Sequence, residues 1–158
     1  MDTLVAAFDR YFAILHRRSA ALVQDTPQLL LFQSTRDDSE AIMKLNVAGN
    51  IVRAAAFVEM ACGGIMTRLW DDPFEWTLPE ALNSGDTITT YLEQVESTRR
   101  NAFRFFTSDA DLTRMIPAPR DLRPIGDILI ETLSRAEHYQ GRAFALCQSI
   151  GGVKLAVR

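Results

Sequence analysis

The chain has 158 residues, the length of one ordinary domain, and its 47% hydrophobic and 23% charged residues fit a chain that buries a core of its own. A formal net charge of −3 speaks against a nucleic-acid binder, which carries a basic patch and a basic overall balance. No run is apolar enough for long enough to cross a bilayer, and the stretch after Asp2 lacks a basic-then-apolar leader pattern, so the expected setting is cytoplasmic, with no membrane partner.

Val5, Phe8, Phe12, Leu15, Ser19 and Leu22 recur at helical spacing and predict a first helix over 3–24, with Asp2 or Thr3 as its cap. A linker over 25–38 holds a short apolar run, Leu29 to Phe32, that reads as a stray helical turn. A second helix is expected over 39–66, opened by the Asp37/Glu40 pair in a loose capping box. It is dense in small residues, including Ala48, Gly49, Ala54, Ala55, Ala56 and Ala61, which let a neighbouring helix come close. The Gly63–Gly64 pair is expected to weaken or bend its end.

Residues 69–84 read as a loop whose Trp70 and Trp76 lie over the end of the bundle as apolar lids. Ile88, Leu92, Val95, Ala102 and Phe106 predict a third helix over 85–107, and a second loop follows over 108–123. Pro124 suits the first position of a fourth helix that runs to about Ile150, where Gly151 and Gly152 stop it. No strand-like alternation persists. The whole chain, 1–158, is therefore expected to be a single all-α domain, a four-helix bundle. The two cysteines, Cys62 and Cys147, lie in apolar helical stretches without metal or redox spacing and read as buried thiols.

The fourth helix contains Ser134-Arg135-Ala136-Glu137-His138-Tyr139-Gln140-Gly141-Arg142, and the second contains Lys44-Leu45-Asn46-Val47-Ala48-Gly49-Asn50-Ile51. These stretches resemble, respectively, the HEAHHRGQ and HLAGNL motifs of the DinB/YfiT-like four-helix bundles. The resemblance implies that fold, a homodimer, and a cleft in which one histidine from the second helix and two from the fourth hold a divalent metal such as zinc or nickel for thiol transfer. Here the three ligand positions are Asn46, Arg135 and Tyr139. A guanidinium has no lone pair to give and repels a cation, so no metal cofactor is expected. His138 lies one step around the helix from the ligand direction.

The expected function is therefore a family member without the metal triad. It binds a small polar or anionic molecule through Asn46, Arg135 and Tyr139, with His138 and Asn50 as additional candidates, or is catalytically inactive. The bland alternative makes Arg135 part of a structural network with Asn46, Glu131 or Glu59. Two rival functions stay open: an enzyme of thiol-transferase or hydrolase type with non-standard ligands, and an interaction module that pairs through exposed Phe103, Phe105 and Trp76.

Overall fold

The computed structural model describes residues 3–33, 46–73 and 82–151. They form five helices, α1 (Thr3–Asp25), α2 (Gln28–Phe32), α3 (Val47–Thr67), α4 (Gly85–Phe103) and α5 (Ile125–Gly151), with a 3-10 turn at Asp109–Thr113. The fold class is all-α, with one departure from the sequence expectation. Within the expected second loop, strands β1 (Met115–Pro117) and β2 (Leu122–Pro124) pair antiparallel, Ile116 opposite Arg123. Strands of three residues are too short to print a period-2 pattern in a sequence. Among the described residues no helix is long and apolar enough to cross a membrane.

The four long helices close a ring in which α1 packs on α4, α4 on α3, α3 on α5 and α5 back on α1. The stripe expected on α1 is its buried face at Val5, Phe12, Leu15, Ser19 and Leu22, with Phe8 half-buried at its edge. α3 is buried nearly all round, from Val47 to Ile65, and its many alanines are what let α4 and α5 approach it. The short run at 28–32 is indeed one helical turn, with Leu31 buried and Leu29 exposed.

Helix ends differ from expectation wherever a polar side chain captures a backbone amide. α3 begins at Val47, and the expected start at 39 with its Asp37/Glu40 box lies outside the described residues. Asn46 has extended dihedrals (φ −103°, ψ 172°) and its Oδ1 accepts from the Gly49 amide at 2.6 Å, a side-chain N-cap. α4 ends at Phe103, not at 107, because the Asp111 carboxylate accepts from the Thr107 and Ser108 amides and from the Thr107 hydroxyl, turning the chain into the 3-10 segment. The same turn supplies the α1 cap. Asp109 accepts from the Leu4 and Val5 amides at 2.9–3.1 Å, a role the sequence assigned to Asp2 or Thr3. Pro124 closes β2 instead of opening α5. α3 runs through the Gly63–Gly64 pair to Thr67, one residue past the expected end, and stops at Arg68 in the left-handed region (φ 65°).

Among the described residues the core holds one pair of charged groups. Arg99 and Glu96 of α4 are buried, and Arg99 forks onto the Glu96 carboxylate through Nε and Nη2, both at 2.8 Å. Arg99 Nη1 reaches Asp9 Oδ1 on α1, and Arg100 Nε adds a third donor to Glu96 at 2.8 Å. Burial pushes the Glu96 carboxyl up, but the hydrogen bonds and charge of Arg99 and the bond from Arg100 together outweigh it, so it titrates below the usual range. Gln140 makes the matching tie between α5 and α1: its buried Nε2 donates to Leu15 O and Ser19 Oγ at 2.7 and 2.8 Å.

Arg99→Met is expected to cost about 3–5 kcal/mol, since it strands Glu96 as a buried charge. The lowered pKa of Glu96 means that the pair's contribution is complete above the free value of about pH 4.3 and is lost as the pH falls through the lower folded value. Urea unfolding across that acid range is expected to show the loss in the wild type and a flatter profile in Glu96→Gln. An unchanged midpoint in Arg99→Met would show that the buried pair is not formed.

Candidate functional site

Among the described residues a cleft of about 420 Å³ opens on the bundle. α3 and α5 make its walls. Phe57, Met60 and Ala61 are spaced three and four apart on α3, and Ile128, Glu131, Thr132 and Arg135 repeat the same spacing on α5, so each set shares one helix face. The hairpin turn between β1 and β2 hangs over the opening and brings Ala118, Pro119, Arg120 and Asp121 to the rim. Trp70 closes one side. Its indole rests on Gly64, where an added Cβ would lie 2.2 Å from the ring, and its Nε1 donates to Pro117 O at 3.1 Å. The chain thus needs a glycine at 64 for close approach, and Trp70 is a lid on the cleft flank. Trp76 lies outside the described residues.

Charge at the rim is paired mainly through Glu131. Its Oε1 makes an ion pair with Arg135 Nη2, and its Oε2 accepts from Arg123 Nη1, each at 2.5 Å. Arg123 also forks onto Asp127, and these two acids hold its pKa above the usual value. Arg120 makes no ion pair among the described residues. Arg135 is half exposed at 53%, and its guanidinium lies over the Phe57 ring, 5.5 Å from the centroid. Arg53 lies over the same ring at 5.2 Å, and Tyr139 packs on it at 5.6 Å. Arg142 in turn covers Tyr139 at 5.6 Å. Guanidinium and aromatic faces therefore alternate along the seam of α3 and α5.

The sequence candidates do not converge. Arg135 lines the cleft, while Tyr139 stands beside it against Phe57. His138 is exposed and meets only the Tyr139 edge among ring contacts, 5.4 Å between centroids. Asn46 is far from both: it lies 11 residues before Phe57 on α3, or about 16 Å along the axis at 1.5 Å per residue. Its side chain is used up as the helix cap, and Asn50 is buried beside it, Nδ2 donating to Asn46 O at 2.8 Å. Asn46 and Asn50 thus belong to the start of α3, not to the cleft. The structural partner of Arg135 is Glu131, while Glu59 accepts from the Tyr91 hydroxyl at 2.6 Å instead. Phe103 is buried between Phe12 and Phe106 instead of exposed.

Sequence reasoning missed Phe57, Met60, Arg120 and Arg123. The Phe57 spacing from Arg53 was legible as an i, i+4 pair, but the hairpin that delivers Arg120 and Arg123 left no periodic signal. The cleft does not fit a divalent metal: three of its polar side chains are guanidiniums, and the described residues contain no group of three His, Cys, Asp or Glu side chains placed to hold one. Nor does a thiol nucleophile serve it. Burial pushes Cys62 up to about 12, which keeps the thiol protonated.

Gly64→Ala tests the Trp70 seat. Alanine favours a helix by about 1 kcal/mol over glycine, yet the indole must move, and overpacking of this kind costs about 1–3 kcal/mol. In a Trp76→Phe background, tryptophan emission is expected to shift to the red as Trp70 leaves its seat; an unchanged spectrum would place the indole elsewhere. No outside likeness bears on this geometry: no family model, no curated protein and no solved structure matches the chain.

Proposed function

We propose that this chain is a non-catalytic ligand-binding bundle that holds a small anionic molecule, without a metal, in the cleft between α3, α5 and the hairpin turn. The observation that carries this reading is the pair Arg120 and Arg135 on the rim of a cleft with an apolar floor. Arg120 makes no ion pair among the described residues. Arg135 spends one nitrogen on a carboxylate that it shares with Arg123. Guanidinium donors in excess of local acceptors are a recognition device for carboxylate and phosphate groups. The likeness of the α3 and α5 motifs to DinB/YfiT-like bundles supports the reading to the extent that a ligand cleft is expected between those two helices. The replacement of its histidine positions supports the lack of a metal.

Thermal unfolding with a panel of small anions at matched ionic strength tests this. A single-site ligand at a hundred times its Kd adds about 2.7 kcal/mol, a rise in Tm of about 5–10 °C for a chain of this size. The rise is expected in the wild type and is expected to vanish in the Arg120→Met/Arg135→Met double variant. No rise with any anion would overturn the reading. Elemental analysis of the purified protein is expected to find no stoichiometric zinc or nickel, and a full equivalent of either would reopen metal-dependent catalysis.

A further inference from the structure

The same cleft restricts its ligand further, and the restriction rests on the anion-binding reading above. We infer that the ligand is a monocarboxylate with a flat apolar body: its carboxylate engages Arg135 and Arg120, its body lies over Phe57, Met60 and Trp70, and Glu131 is its internal competitor.

The cleft is divided. Phe57, Met60, Ala61, Trp70 and Ile128 give it apolar surface, while its charges gather on α5 and at the hairpin turn. An inorganic anion would satisfy the guanidiniums and leave that surface wet. A purely apolar ligand would cover it and desolvate guanidinium donors without a partner, which is costly. Only a molecule with both parts matches both regions. The Phe57 ring carries the Arg53 and Arg135 guanidiniums and presents the rest of its surface to the cleft beside the Trp70 indole and the Met60 thioether, and the last two favour contact with an aromatic ring over a branched aliphatic body.

Charge sets the head group. Asp121 and Glu131 line the same cleft, and Arg123 is already held by Asp127 and Glu131. A polyanion would meet two carboxylates at close quarters. A single carboxylate matches the donors that remain on Arg120 and Arg135 and suits the planar fork of a guanidinium. The structure contains a version of that contact, because Glu131 Oε1 sits 2.5 Å from Arg135 Nη2. A ligand carboxylate displaces Glu131 from Arg135 or shares the guanidinium with it. In either case the charge of Glu131 opposes binding, and its removal strengthens it.

The test is calorimetric titration of the full chain with naphthoate, with naphthalenemethanol as its uncharged analogue, and with inorganic phosphate. Naphthoate is expected to bind one to one, at least about tenfold tighter than either of the others. Arg135→Met is expected to weaken it by about tenfold or more, since a hydrogen bond to a charged group is worth about 1.5–3 kcal/mol. Glu131→Gln, at a side chain 35% exposed on the cleft rim, is expected to tighten naphthoate several-fold. Thermal melts of both variants check that the fold is intact. Equal binding of naphthalenemethanol overturns the inference, as does weaker or unchanged binding in a folded Glu131→Gln. Phosphate binding that depends on Arg135, without naphthoate binding, overturns this inference and leaves the anion-binding reading standing; no binding by either anion overturns both.

Discussion

The structure depends on a helix that has almost no outside. Of the 21 residues of α3, 13 are buried, and most of those are alanine, valine or another small residue. Its charged side chains, Arg53 and Glu59, are only half-buried, and Glu59 accepts from the Tyr91 hydroxyl of α4. The polar ties of α1 come from the helices beside it. Glu96 and Arg99 bind α4 to Asp9 on α1, and Gln140 binds α5 to the Leu15 carbonyl on the same helix. These ties fix how α1 sits between α4 and α5, because each needs one register to satisfy its donors. A hydrophobic seam alone tolerates sliding more readily than a fork of hydrogen bonds.

The cleft follows from the same helix. Along the row Ala54, Phe57, Ala61 and Gly64, spaced three or four apart, only Phe57 is large. It reaches the α5 seam and stands under Arg135 and Tyr139. Beyond it Ala61 and Gly64 leave space. Trp70 takes part of that space at Gly64, and the hairpin turn covers part of the rest through the Trp70 bond to Pro117. What remains open is the cleft. A change of side-chain size along one helix row, more than any catalytic motif, creates the site.

The sequence made the helices legible because their apolar positions recur over many turns, and the buried stripes of α1 and α4 repeat the residues that the periodicity picks out, apart from half-buried Phe8 and from Phe106, which lies past the end of α4. It hid the caps and the hairpin, since these are set by single polar residues and by contacts between distant parts of the chain. Asp109 capping α1 joins residues more than a hundred apart, which no local pattern announces. The candidate site was legible at one position. Arg135 lines the cleft, whereas Asn46 was assigned to a helix interior when it is a helix boundary. An Asn three residues before a Gly inside an apolar run is an N-cap signal as much as a ligand position. The motif likeness favoured the second reading.

Two arginine–carboxylate contacts, one on α4 and one on α5, show why only one of them is suited to a ligand. Glu96 and Arg99 are each about 4% exposed, and Glu131 and Arg135 are 35% and 53% exposed. The chemistry is the same, but the surroundings are not. In the interior neither partner has water to return to, so separating the pair exposes a bare charge to a low dielectric. At the cleft rim both partners are partly hydrated, and such a contact is worth only about 0.2–1 kcal/mol. A carboxylate arriving with an apolar body brings buried area as well as charge, at about 25 cal/mol per Å², and a few tens of Å² cover the loss of the internal contact. The buried pair is therefore a fixture of the fold, and the rim pair is one that a ligand can take apart.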